Sequence, residues 1–382
     1  MKKVSRLPEV LFFIGYGLII FSDMYNCIPW LQSVLTIIDV VAVLALVASF
    51  TIGFWSGKIK MSMSAIVGMS IFSALVAVTA MSSDTRTLLK LPFLFLAFMN
   101  VKFCKTVDFD LKCRSILLLL IFVLSLAGLN GNTVLEYRGG LMRNSFGVGH
   151  PNSFAFELSV ICADLFYLTC WGKETKRKKI VPIIVSLVFL VFNYFFVGSR
   201  TNIILTTMLL VVYVFKDKVR IRSGIVKFLL KNMFLICLLI SFVGVLVFRL
   251  DLPISHMLNT ALSRRLEYES FAFSRYGVAL FGHSINITVD NAYLGMLLRY
   301  GIILTICVGL MYYLTISKLI SGKQKLLLMF FVVFMLYGLS ETPIYSPGKS
   351  PFVLLLTCAF IPIEKVLHNT SGGAKLKKRE GK

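Results

Sequence analysis

The chain has 382 residues, of which 57% are hydrophobic and only 15% charged, with 33 Phe. That apolar share excludes an ordinary soluble domain. The formal charge of +22 invites a nucleic-acid reading, but the basic residues flank apolar runs as membrane anchors do, which excludes nucleic acid as the partner.

Backbone groups in lipid must be satisfied internally, so spans are helices or a closed barrel. Continuous apolar runs, rather than alternation, select helices. The fold class is therefore all-α and polytopic. In chain order, twelve spans are predicted at roughly 7–22, 33–53, 63–81, 88–104, 115–130, 153–171, 180–197, 202–215, 232–248, 291–316, 326–341 and 351–367. The first keeps a Lys/Arg flank without a convincing cleavage site and reads as a retained span. Residues 1–382 form one integral membrane domain, with a large outer loop at 249–290 and a basic tail at 368–382. Only Cys27 falls clearly outside the spans and the inner face, so no disulfide framework is expected.

With twelve spans and the N-terminus inside, the inner segments carry most of the charge. They hold Lys2, Lys3 and Arg6, then Lys58 and Lys60, then Lys102, Lys105, Lys112 and Arg114. Lys173 to Lys179, Lys216 to Lys231, Lys318 to Lys325 and the tail continue the series. This is the positive-inside pattern, with both termini cytoplasmic. A basic inner face beside anionic lipid accounts for it.

The outward basic residues differ in kind: Arg86, Lys90, Arg138, Arg143, Arg200, Arg249, Arg264, Arg265, Arg275, Arg299 and Lys349. Arginine dominates here, where lysine dominates inside. Guanidinium grips phosphate or carboxylate through two parallel bonds. The arginines cluster at 131–152, 198–202 and 249–290, so a shared anionic ligand is the simplest physical account. Helix capping and lipid headgroups are the plainer alternative, strongest for Arg86 and Arg249. Only 36 residues separate Lys179 from Lys216, whereas two full crossings take about 40. The Gly198-Ser199-Arg200-Thr201 turn should then sit at or below the outer interface, where a buried arginine must be paired or line a wet cavity.

Three inward-running helices open on polar motifs: His150-Pro151-Asn152-Ser153, Ser199-Arg200-Thr201 and Asp290-Asn291. Such residues cap N-termini, and free N–H groups with a positive dipole end bind phosphate. Capping does not explain Arg143 and His150 beside them. In the loop, Ile254, Met257, Leu258, Ala261, Leu262 and Leu266 recur at helical spacing and predict an amphipathic helix on the outer surface. His150, His256 and His283 also face outward, and a histidine beside arginines serves as general base or phosphate ligand. No metal-ligand spacing is present, and the cationic surround repels metal. Asp39, Glu157, Asp164 and Arg299 are the remaining intramembrane charges, with Arg299 placed to reach the same cavity or to pair with Glu157 or Asp164.

Four stretches together resemble a family: R-x-S-F-G-x-G-HPN-S-F-A from Arg143, G-S-R-T from Gly198, S-R-R-L from Ser263, and D-N-A-Y-L-x-x-L-L-x-Y-G from Asp290. They look like the Wzy-type polysaccharide polymerases, which belong with the O-antigen ligases, over roughly residues 130 to 316. The resemblance implies a GT-C-like glycosyltransferase architecture in the bacterial cytoplasmic membrane. It implies transfer of a growing glycan from undecaprenyl diphosphate onto another lipid-linked repeat unit at the outer face. Donor and acceptor are lipid-linked oligosaccharides. No metal or other cofactor is expected, and a flippase and a chain-length regulator are the implied protein partners.

The resemblance further implies that Arg200, with Arg264 or Arg265, and Arg143 grip the diphosphate. Asn152, Ser199, Thr201, Asn291, Tyr293, Arg275 and Arg299 would support them. Ligases of the family carry a histidine directly before the asparagine of the late motif, where this chain has Asp290. The general base is then Asp290, His150 or His283, with Asp290 preferred by position, and the departure points to a polymerase. The rivals are a ligase acting on a lipid or protein acceptor, and a transporter or flippase. No repeat relates the halves, and the polar motifs sit at one face rather than the midplane, against a transporter.

Overall fold

A computed structural model describes residues 6–26, 28–130, 134–136, 142–171, 176–342, 346 and 348–367. Cys27, Arg138 and the tail at 368–382 lie outside the described residues.

Helices α1 (Leu7–Tyr25), α2 (Gln32–Trp55) and α3 (Met63–Ser83) come first. Helix α3 is capped by Ser62, whose hydroxyl accepts the Ala65 N–H at 3.2 Å, the usual remedy for an orphaned first-turn donor. A short α4 (Lys90–Phe98) and α5 (Phe103–Leu126) follow. Strands β1 (Val134–Glu136) and β2 (Met142–Asn144) form an antiparallel ribbon that pairs Leu135 with Arg143. Next come α6 (Pro151–Trp171), α7 (Lys176–Phe192), which continues as a π turn to Val197, and α8 (Arg200–Phe215). Helices α9 (Gly224–Lys231) and α10 (Met233–Arg249) meet at 64°. Then come α11 (Pro253–Ala261), α12 (Arg265–Tyr276), α13 (Ala292–Ser321), α14 (Lys325–Tyr337) and α15 (Ile363–Leu367).

The molecule is a helical, multi-pass membrane protein. Each predicted apolar run coincides with helix, but the number long enough to cross is smaller. Among the described residues six helices are long and apolar enough, or seven if the bent α9–α10 pair is one span. The physical reason lies in what the short runs touch. In α14, 13 residues long, Leu327, Leu328, Phe330, Phe331, Val333, Phe334 and Met335 are all buried in protein. The run at 351–359 is a 3-10 helix of nine residues with Phe352 to Leu356 buried. Apolar residues of a protein core read like a lipid face, and short runs favour the core. The predicted single amphipathic helix is likewise two, α11 and α12, broken where Ser263 and Arg264 take positive φ (57° and 64°). Its apolar side is exposed at Ile254 and Met257 (55% and 67%).

Two charges read as surface residues are buried. Lys90, expected outside, is 4% exposed and pairs with Asp39 at 2.6 Å. Arg114, expected on the inner face, is fully buried and held by Asp110 and Glu157. A charge in the apolar interior persists only when paired in this way. Glu157 also meets Lys349, at 3.3 Å, so it is not the partner of Arg299.

Helix α6 packs against α5, α7 and α8. Beneath the loop that precedes it, Phe122, Phe146, Phe154 and Phe192 bring their rings together at 5.0–6.3 Å. This aromatic platform fixes the turn at 145–150 over the starts of α6 and α8. Helix α13 bends at Gly301 (φ 83°), where the chain around Leu280 and Gly282 crosses its backbone too closely for any side chain.

Candidate active site

The three polar motifs that open α6, α8 and α13 meet at one place. Asn152, in the first turn of α6, is the hub. Its Oδ1 accepts from Arg143 Nη2 at 2.6 Å and from Ser199 Oγ at 2.9 Å, and its Nδ2 donates to Glu341 at 2.7 Å. Asn202 Nδ2 donates to the Asn152 carbonyl at 3.0 Å and to Ser199 Oγ at 2.8 Å, while its own Oδ1 accepts from Tyr337 at 3.1 Å. Asn152 therefore joins the β2 strand to α6, α8 and the segment after α14.

Glu341 is the second hub. Besides Asn152 it accepts from Thr201 Oγ1 at 3.2 Å and from Arg265 Nη2 at 2.6 Å. Arg265 also meets Asp290 at 3.1 Å and donates to the Ser340 carbonyl. Burial works against the Arg265 charge, but Glu341 and Asp290 outweigh it and raise the guanidinium pKa. Arg143 and Arg265, 122 positions apart in sequence, are thus linked through two side chains, Asn152 and Glu341.

His150 sits at the rim, its Nδ1 accepting the Asn152 N–H at 3.1 Å. Partial enclosure, and then Arg143, hold its pKa below the ordinary 6.5. The ring is therefore neutral at neutral pH, with its lone pair on Nδ1 facing the Asn152 N–H.

The turn before α8 is shaped for this contact. Gly198 has φ +67°, and a Cβ there would lie 2.9 Å from Arg143 Cγ. Asn193 ties the turn, accepting the Gly198 N–H on its carbonyl and the Ser199 N–H on Oδ1 at 3.0 Å. Gly198→Ala is expected to cost about 1–2 kcal/mol from the left-handed backbone alone, with Arg143 displaced. Thermal unfolding checks the first effect and activity the second.

A cavity of about 440 Å³ opens beside the hubs. Asn152, Glu341, Arg299, Lys349 and Asp23 contribute polar groups to its wall, and Phe156, Tyr300 and Tyr337 contribute rings. Arg265 and Asp290 line an adjoining recess that shares Thr288 with it.

The structure brings together Arg143, His150, Asn152, Ser199, Thr201, Arg265 and Asp290, and places Arg299 on the cavity wall. The other predicted residues stand differently. Arg200 begins α8 with an exposed side chain, so the buried arginine expected at this turn is not there. Arg264 is exposed at the break between α11 and α12, and it is Arg265 that faces the hub. Arg275 is exposed, with its guanidinium 5.6 Å from the Tyr276 ring. Asn291 caps α13, accepting the Tyr293 and Leu294 N–H groups, and bonds Ser241. Tyr293 is buried and donates to the Met335 carbonyl at 2.6 Å. His283 enters through its backbone, which donates to the Arg299 carbonyl at 3.2 Å.

Glu269 lies in the same region, 3% exposed. Burial, and then Asp290, push its carboxyl up to about 8 from the ordinary 4.5. The folded protein then holds this proton more tightly than the unfolded chain. The resulting stabilisation is complete below about 4.5 and is lost as pH rises through about 8. Thermal stability should fall across that window by a few kcal/mol at most, and Glu269→Gln should flatten the slope.

Sequence reasoning missed Glu341, Asn202 and Tyr337. Glu341 ends an apolar run and is followed by Thr342-Pro343, and an acid at that edge was the available signal. Comparison with protein-family models finds no match. Comparison with curated proteins finds none either.

Proposed function

We propose that the chain is a glycosyltransferase that moves a glycan from a polyprenyl diphosphate onto a second lipid-linked acceptor. The polymerase reading follows the motif resemblance, and it places this site at the outer face of a bacterial cytoplasmic membrane. The observation that carries it is the Arg143–Asn152–Glu341–Arg265 chain at the mouth of a polar cavity. It unites all four stretches on which the resemblance rests.

The roles follow from charge and reach. Arg143 and Arg265 stabilise the negative charge that grows on the departing diphosphate. The positive dipole ends at the starts of α6 and α8 add to that field. Arg265 is already held by two carboxylates, so a diphosphate takes it only as Asp290 or Glu341 turns away. The released carboxylate is then placed to receive the acceptor hydroxyl proton. Asp290 and His150 remain the base candidates, and Glu341 joins them by position. The exposed apolar side of α11 suits a lipid-borne substrate arriving from the bilayer.

The test is purified protein in lipid, given a polyprenyl-diphosphate repeat unit and analysed as a gel ladder. A ladder of lengthening glycan supports the proposal. Single transfer to an unrelated lipid acceptor would indicate a ligase instead. The buried Arg114 cluster favours one second reading, a transporter, since intramembrane charges often mark transport paths. That reading predicts movement of the lipid-linked unit across vesicles with no ladder.

A further inference from the structure

Away from the site, in the middle of the bundle, α1, α5 and α6 enclose a fully buried set of ionisable side chains. Tyr16, Asp110, Arg114, Glu157 and Asp164 are each 0% exposed. Arg114 uses four of its five N–H donors. Its Nε and Nη2 go to Asp110 at 2.7 and 2.9 Å, its Nη1 to Glu157, and Nη2 also reaches the Gly348 carbonyl at 3.1 Å. Tyr16 donates to Asp110 Oδ1 at 2.6 Å. Glu157 has a second cation in Lys349. Asp23, on the cavity wall, accepts from Ser346 and the Gly348 N–H and lies outside this buried set.

Asp164 is left over. It faces Asp110, yet among the described residues neither of its carboxylate oxygens has a hydrogen-bond partner. Among the described residues the ionisable groups around it are Asp110 and Arg114 from α5, Tyr16 from α1 and Cys162 from its own helix. The other helices packed on α6 bring Ser186 from α7, Thr206 and Tyr213 from α8, and Phe334 and Tyr337 from α14, each against another residue of α6. Three acids, Asp110, Glu157 and Asp164, thus share two cations, Arg114 and Lys349. An unpaired carboxylate in such a place is prohibitively costly, whereas a neutral carboxylic acid needs one acceptor. Asp110 can supply it, because its Oδ2 receives a single donor, Arg114 Nε, among the described residues.

We propose that Asp164 is a buried proton-binding site: the folded protein carries a proton on this carboxyl and donates it to Asp110. Two carboxyl groups facing each other share one proton because both cannot ionise at close range. With that proton in place the three acids carry two negative charges, matched by Arg114 and Lys349. Through Asp110, Arg114, Glu157 and Lys349 the proton site connects, contact by contact, to the wall of the cavity. A change of charge in the cavity is therefore felt at Asp164, and reciprocally.

The experiment is infrared spectroscopy of the full-length protein in lipid, with its aspartates carbon-13 labelled so that glutamates, Glu269 included, absorb elsewhere. Expected is a protonated-aspartate carbonyl band at neutral pH that shifts in heavy water and vanishes in Asp164→Asn. In Asp164→Glu the band should move to the unlabelled position, which keeps the assignment testable if the asparagine variant inserts poorly. Absence of such a band in the unmodified protein, or its survival in both variants, overturns the proposal. Thermal denaturation supplies an independent reading. Asp164→Asn should melt close to the parent and Asp110→Asn well below it, and the reverse order would also overturn the proposal.

Discussion

Arg114→Met should destabilise the folded protein by about 3–5 kcal/mol, the range found when one partner of a buried ion pair is removed. The side chain is fully enclosed, and two carboxylates, Asp110 and Glu157, depend on it. Methionine fills much of the volume, so the loss reports unpaired charge rather than a void. Lys349 would still offset part of the Glu157 charge, whereas Asp110 would lose its cation and keep only the Tyr16 hydroxyl and the proton proposed on Asp164. Unfolding of the detergent-solubilised protein measures the effect. A Tm equal to that of the parent would mean that the buried network contributes little. The double variant Arg114→Met with Asp110→Asn should recover part of the loss, because it removes the orphaned charge together with its partner.

The second large effect concerns turnover. Arg265→Ala is expected to lower glycan transfer by about 100- to 1,000-fold, the usual loss when one donor to a developing anion is deleted. Arg265 joins Asp290, Glu341 and the Ser340 carbonyl across α12, the start of α13 and the segment after α14. Its removal takes away a charge for the diphosphate and leaves two carboxylates facing the site. Arg265→Lys keeps the charge but not the planar fork, so it should fall between the two. Initial rates in the gel-ladder assay, normalised to inserted protein, measure this. Arg264→Ala, one residue away and exposed, should lower the rate far less. Equal losses at 264 and 265 would contradict the assignment of roles.

Some of this was legible in the sequence because it depends on local chemistry. The stretches at Arg143–Asn152, Ser199–Thr201 and Asp290–Asn291 read as polar motifs beside helix starts and Arg264–Arg265 as the polar flank of the outer-loop helix, and the fold gathers members of each around Asn152 and Glu341. What stayed hidden depends on which face of a helix is turned inward. Asp110 and Arg114 stand one turn apart on α5 among Lys105, Asp108 and Lys112, so they read as one charged membrane flank. The i, i+4 spacing that pairs them also turns them both into the bundle, away from Lys112, whose side chain is 67% exposed. Lys90 was misplaced for the same reason, since a basic residue at the head of a span looks the same whether Asp39 lies opposite or not. Of the predicted spans, α14 and the run at 351–359 are shorter than a full crossing, and their apolar residues line protein.

The central claim is that Arg143 and Arg265 together hold a lipid-borne pyrophosphate. The most direct measurement is electron cryomicroscopy of the full-length protein in lipid with undecaprenyl diphosphate added. Density for the two phosphates within hydrogen-bond reach of both guanidinium groups, beside Asn152 and the start of α8, is the predicted result. Density lodged at another surface, or none at saturating lipid, would contradict it.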